Sequence, residues 1–188
     1  MVSRKYAKDY RIEPYLDRNG QLRDRAVYCG DYYFLTNSPE EIRKFFRLLI
    51  GLNALTAVTV VLPMFFACEY FKQFYLTLPQ AFLLLPVYFL FTGAWRVHTA
   101  GEKITREHKD KIANRIPHAG LFLLILSIAC AVGSIVYVII GWPQGADYLA
   151  LACTAVRLIP AFLIFRMRGA LRIEQIPFRP ADETEQHP

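Results

Sequence analysis

Four stretches of this chain are strongly apolar and nearly free of charged side chains: residues 48–68, 78–95, 119–141 and 148–165. Each approaches the roughly 20 residues that cross a hydrocarbon core of about 30 Å. The first, LLIGLNALTAVTVVLPMFFAC, and the third, AGLFLLILSIACAVGSIVYVIIG, contain no charged residue. Neither leaves the polar stripe, recurring every three to four residues, that a water-facing helix needs. The pattern predicts an all-α membrane fold over residues 38–166, with four transmembrane helices arranged as two antiparallel hairpins.

The flanking segments are patterned too. Residues 1–37 place Asn19-Gly20 between Ile12, Tyr15 and Leu16 on one side and Leu22, Ala26, Val27 and Tyr28 on the other. Asn-Gly favours a tight reversal because both residues accept positive φ, so a small β-hairpin is expected. Gly30 should then turn the chain into a third strand of the same small sheet, Tyr32 to Leu35. In NSPEEIRKFF, Ser38, Pro39 and Glu41 have the spacing of a capping box with proline at the first helical position. That helix should run unbroken into the first apolar stretch.

The loop over 96–118 has Ile104, Ile112 and Ile116 on one face and basic residues elsewhere, which predicts an amphipathic helix along the inner membrane surface. The connection EYFKQFYLTLPQ should seat Tyr70, Phe71, Phe74 and Tyr75 in the headgroup region, where an aromatic ring has one apolar and one wet side. In WPQGAD, Trp142 suits the interface, while Pro143 and Gly145 permit a sharp reversal. The tail over 167–188, with prolines at 177, 180 and 188, should be extended and largely disordered.

Charge orients these elements. Of 22 Lys and Arg residues, ten precede the first stretch, six lie between the second and third, and four follow the fourth. The two connections on the other side hold only Lys72, so both termini are expected in the cytoplasm. These flanks account for most of the net charge of +6, and they suit the lipid bilayer and its anionic headgroups rather than nucleic acid. The first apolar run begins near residue 48, after a polar segment, as in an uncleaved signal anchor of the plasma membrane.

Chemical signatures are few. Cys29, Cys68, Cys130 and Cys153 occur singly, and His98, His108 and His118 cluster only in the loop, so neither a metal nor a haem site is expected. No His, Asp or Glu lies in the second, third or fourth stretch to serve Ser127 or Ser134, and phosphate-loop, dinucleotide and H-E-x-x-H patterns are absent. The expectation is a protein with no catalytic residue and no cofactor.

What stands out is polarity inside the spans: Asn53, Thr56, Thr59, Tyr88, Thr92, Ser127, Ser134, Tyr137 and Arg157, with internal prolines at 63, 86 and 160. Arg157 lies eight residues from Phe165, about 12 Å from the inner end of its helix. A central arginine costs at least about 2.5–3.5 kcal/mol on insertion scales, so it should face the bundle interior or a hydrated cleft. Its expected partners are the Val156 carbonyl freed by Pro160, hydroxyls, Asn53, water, or an anion. It is either a packing pin or a site for an anion, lipid or partner subunit, with Asn53, Thr59, Tyr88, Ser127 and Ser134 as the other candidates. The small residues Ala129, Ala131, Gly133 and Ser134 predict close helix packing.

The order of a hairpin with GDYY, a capped first helix, four spans and a basic loop resembles small uncharacterised integral membrane proteins of bacteria, and that resemblance implies a topology without a function. The functional expectation is a non-enzymatic accessory or scaffold subunit whose cytoplasmic segments bind a protein partner or a second copy. The alternative is a small transporter, channel subunit or lipid-binding protein that uses Arg157.

Overall fold

The computed structural model describes residues 4–17, 21–99, 104–140, 143–171 and 173–176, and it is mostly helical. Helix α1 (Pro39–Val61) starts as its sequence directs. The Ser38 hydroxyl accepts the Glu41 N–H, the Glu41 carboxylate accepts the Ser38 N–H, and Pro39 occupies the first turn. The helix tightens into a 3-10 turn at Leu62–Phe65, so Pro63 ends the regular helix instead of kinking its interior.

The second apolar stretch is broken. Helix α2 (Phe74–Phe82) and helix α3 (Leu84–Thr99) are separated at Leu83. Pro86 falls in the first turn of α3, where a missing N–H costs least. Helix α4 (Arg106–Ile140) runs 35 residues through Pro117, and helix α5 (Asp147–Arg166) returns after a turn in which Gly145 adopts φ +48°. Four of these helical segments, 39–65, 74–99, 112–140 and 147–169, are long and apolar enough to cross a membrane.

The helices close a ring in which α1 packs on α3 and α5, and α4 packs on α2, α3 and α5. Its core runs from Phe45 and Leu49 through Leu90, Val97, Ile112, Ile116 and Leu123 to Ala161 and Ile164. The expected close packing of small residues is seen at Gly133, where an added Cβ would meet Leu76 Cδ2 of α2 at 2.7 Å.

The amphipathic loop does not form a separate helix lying on the membrane. Arg96–Thr99 belong to the end of α3, and from Arg106 onward the loop forms the first turns of α4, continuous with the third apolar stretch. Ile112 and Ile116, one turn apart, are buried against the bundle, so the apolar face expected to rest on lipid rests on protein.

The β structure also departs from expectation. Strands β1 (Tyr10–Leu16) and β2 (Leu22–Tyr28) pair antiparallel from Leu16↔Leu22 to Tyr10↔Tyr28. The Asn19-Gly20 turn itself lies outside the described residues. Strand β3 (Tyr32–Leu35), however, does not join this hairpin. It is the centre of a second sheet, between β4 (Ile104–Thr105) and β5 (Ile173–Ile176), both antiparallel to it. The tail therefore contributes a strand as far as Ile176, and its proline-rich remainder lies outside the described residues. The reason is burial: Tyr33 is paired with Ile104 and Gln175, and both Tyr33 and Ile104 are buried. An isolated strand could not have covered those side chains.

Candidate functional site

Arg157 sits on α5 with no solvent-exposed surface. Its Nη1 donates to Gln80 Oε1 of α2 at 2.8 Å. Gln80 cannot turn away, because its Nε2 donates to the Val60 carbonyl at 3.0 Å, where α1 gives way to the 3-10 turn. The Cys130 thiol of α4 approaches the same Oε1 at 3.8 Å. One amide thus links α1, α2, α4 and α5 around a buried cation. Among the described residues, Nε and Nη2 of Arg157 have no hydrogen-bond partner.

None of the partners anticipated for Arg157 within the chain bonds to it. Asn53 is buried on α1 and donates Nδ2 to the Val87 carbonyl of α3 at 3.0 Å, leaving its own Oδ1 unpartnered. Thr59 donates to the Thr56 carbonyl, and Ser127 donates to the Leu123 carbonyl. Ser134 donates to the Cys130 carbonyl at 2.8 Å and meets the Tyr70 hydroxyl at 2.8 Å. Tyr88 is 61% exposed on the outside of the bundle and stands apart from the others. Arg157 therefore meets Gln80, while the other candidates mostly satisfy backbone carbonyls.

A second polar layer closes the far end of the bundle. Asp147, at the start of α5, is buried and accepts from the Tyr70 N–H at 3.0 Å, the Tyr137 hydroxyl at 2.8 Å and the Gln144 N–H at 3.1 Å. Tyr70 in turn sets its hydroxyl between Ser134 and Thr154, at 2.8 and 3.3 Å. Expected in the headgroup region, Tyr70 is only 1% exposed, because this network draws it inward; Phe74 and Tyr75 remain exposed. These contacts pin the connection between α1 and α2 onto α4 and α5.

Gln80, Tyr70 and Asp147 were the residues that periodicity missed. Gln80 ends what reads as a connecting loop, Tyr70 carries an ordinary interfacial signature, and Asp147 reads as a helix-terminal acid. The one available signal was need: a buried guanidinium requires acceptors, and Gln80 is the only amide in the second span.

The polar side chains of this core are engaged with one another and with backbone groups. Ser127 and Ser134 donate to carbonyls of their own helix, not to a general base. The Asp147 carboxylate is occupied by three donors. Among the described residues, no group of three or more His, Cys, Asp or Glu is arranged to hold a metal ion.

At the opposite end, Tyr28 ties the hairpin to the bundle. Its hydroxyl donates to the Asp31 carbonyl at 2.9 Å and accepts the Arg106 N–H at 3.0 Å, so it serves as a cap for α4. Burial, opposed by the Arg106 hydrogen bond, pushes this hydroxyl above its ordinary pKa. Gly30 of the GDYY segment packs directly on it; an added Cβ would lie 2.7 Å from the Tyr28 oxygen. The rings of Tyr10 and Tyr32 flank Tyr28 edge-on at 5.2 and 5.1 Å.

Comparison with known families, with curated proteins and with solved structures returns no match for this chain.

Proposed function

We propose that this protein is a multi-pass protein of the plasma membrane, with both termini cytoplasmic, that acts as a non-enzymatic accessory or scaffold subunit. The bundle is the anchor, and the β1–β2 hairpin docks a protein partner. The observation that carries this reading is the exposed apolar face of the hairpin. Residues paired directly across an antiparallel ladder share a face, so Ile12, Pro14, Leu16, Leu22 and Ala26 lie together. Ile12, Leu16 and Leu22 are 70%, 71% and 75% exposed. The other face carries Arg11, Glu13, Arg23 and Arg25 and suits water.

A two-stranded hairpin is at best marginally stable without something to cover its apolar face. The occupant favoured here is a protein, not lipid. Asp24 sits within the apolar face opposite Pro14, so inserting that face into lipid would take its carboxylate out of water. In addition, among the described residues this sheet has two strands, so the outer edges of β1 and β2 carry backbone groups that a partner strand can pair with.

A photo-crosslinking residue at position 12 or 22 in native membranes should give one discrete adduct with another protein, and the same residue at Arg23 should give none. Leu16→Asp with Leu22→Asp should abolish the adduct while the bundle keeps its thermal stability. Adducts with lipid alone would overturn the docking reading, and a product of twice the chain mass would make the partner a second copy.

A second reading, anion binding or transport, draws on the unpartnered Nε and Nη2 of Arg157. It expects Arg157→Leu to abolish anion flux into proteoliposomes; flux equal to that of the unaltered protein would sink it.

A further inference from the structure

Helix α4 carries a stripe that changes character along its length. Arg115 and His118 are followed on the same face by Phe122 and Ile125, at spacings of three, four and three residues. With Phe89 of α3 and Leu121, they line an open groove of about 630 Å³ on the outside of the bundle. Phe89, Phe122 and Ile125 are 40%, 42% and 54% exposed. From Arg115 to Ile125 the helix rises about 15 Å, close to half of a hydrocarbon core of about 30 Å. The groove is therefore one leaflet deep, apolar toward the membrane centre and basic at its mouth. The mouth opens at the end of the bundle where β3, β4 and β5 join the first, middle and last segments of the chain.

The polar rim is held in place. The Arg115 guanidinium lies 5.9 Å from the centre of the Phe89 ring, at the edge of cation–π range, with the ring covering one face and leaving its N–H groups to other acceptors. Among the described residues it forms no salt bridge. His118 contacts the Asn114 carbonyl through Nδ1 at 2.5 Å; since a carbonyl only accepts, Nδ1 carries the proton and Nε2 remains for a group outside the helix.

We infer that this groove is a binding site for an anionic phospholipid of the surrounding leaflet. The phosphate sits against Arg115 with the headgroup beyond it, His118 lies one turn deeper at the level of the glycerol backbone, and one acyl chain runs along Phe89, Phe122 and Ile125. Charge decides the class, since a zwitterionic lipid offers the same chain but carries a compensating ammonium. Depth decides the source, since a free phosphate would use Arg115 and leave the apolar part of the groove without purpose. The inference rests on the bundle spanning a membrane, not on the hairpin having a partner.

The full chain, reconstituted in phosphatidylcholine vesicles with a trace of spin-labelled phosphatidylglycerol or phosphatidylcholine, tests it by the motionally restricted fraction of each label. One basic residue near a membrane surface is worth about 1 kcal/mol toward anionic lipid, so preference for phosphatidylglycerol should fall about fivefold in Arg115→Gln. Arg115→Lys, which keeps the charge, should retain most of the preference. Arg43→Gln, an equal loss of charge at an exposed position of α1, should leave it unchanged. An equal fall in Arg43→Gln would overturn the site in favour of general surface charge, as would an unchanged preference in Arg115→Gln. Displacement of the restricted lipid by added inorganic phosphate would show a free-anion site instead.

Discussion

A buried arginine held by one glutamine concentrates the energetic risk of this molecule in two side chains. Taking a guanidinium out of water and leaving it unpaired is among the most destabilising single events in a folded core. Gln80→Leu removes the one acceptor bonded to Arg157 among the described residues and also releases the Val60 carbonyl. It should lower stability by about 1.5–3 kcal/mol, the worth of a hydrogen bond to a charged group. Adding Arg157→Met to that variant removes the charge as well and should recover most of the loss, because two apolar side chains can share the space the pair occupied. Unfolding in mixed micelles measures both, and a double variant as unstable as Gln80→Leu alone would refute the pairing. Arg157 itself was legible in the sequence as a charge inside an apolar run. Gln80 was not, because its role depends on a neighbour 77 residues away.

The elements obey local signals where those signals are self-contained. The capping box at Ser38 forms because all its atoms lie within one turn. Pro63 and Pro86 fall at or near helix ends, the places where a missing N–H is tolerated. The start of α4 is different, since its cap comes from Tyr28, 78 residues upstream. Gly30→Val should displace the Tyr28 ring and strip that cap, costing about 1 kcal/mol, the usual worth of a helix N-cap. Hydrogen exchange at the first turn of α4 should rise in that variant, with α5 unchanged as the internal control; unchanged exchange at Arg106 would show that the close packing at Gly30 has no bearing on α4. The same long-range dependence explains why the amphipathic loop misled as a surface helix. Ile112 and Ile116 have the right spacing for an apolar face, but periodicity does not say whether lipid or protein covers it.

At the scale of the molecule, the β4–β3–β5 sheet is a clasp. It brings the N-terminal segment, the connection between α3 and α4, and the chain beyond α5 to one end of the bundle. The Asn37 side chain reinforces it by donating to the Ala170 carbonyl at 3.2 Å. All three segments must then lie on the same side of any membrane the helices cross. With the basic residues concentrated there, that side should be the cytoplasm. A single cysteine placed at Gln73 or Gly145, in the connections at the other end, should react with an impermeant maleimide in intact cells. Labelling of a cysteine at Asn37 should require permeabilised cells, and the reverse pattern would invert the topology.

By itself, the sequence determined the four long apolar helices, the capped start of the first helix, the hairpin and the bias of charge to one end. Each of these is a local matter of periodicity, hydropathy or turn chemistry. Only the tertiary structure decided that β3 leaves the hairpin for β4 and β5, that Tyr70 turns inward, and that Arg157 rests on Gln80. The physical reason is common to all three. A buried polar or half-apolar group takes whichever partner the packed helices bring within reach, and that proximity is a property of the assembled bundle rather than of any stretch of chain.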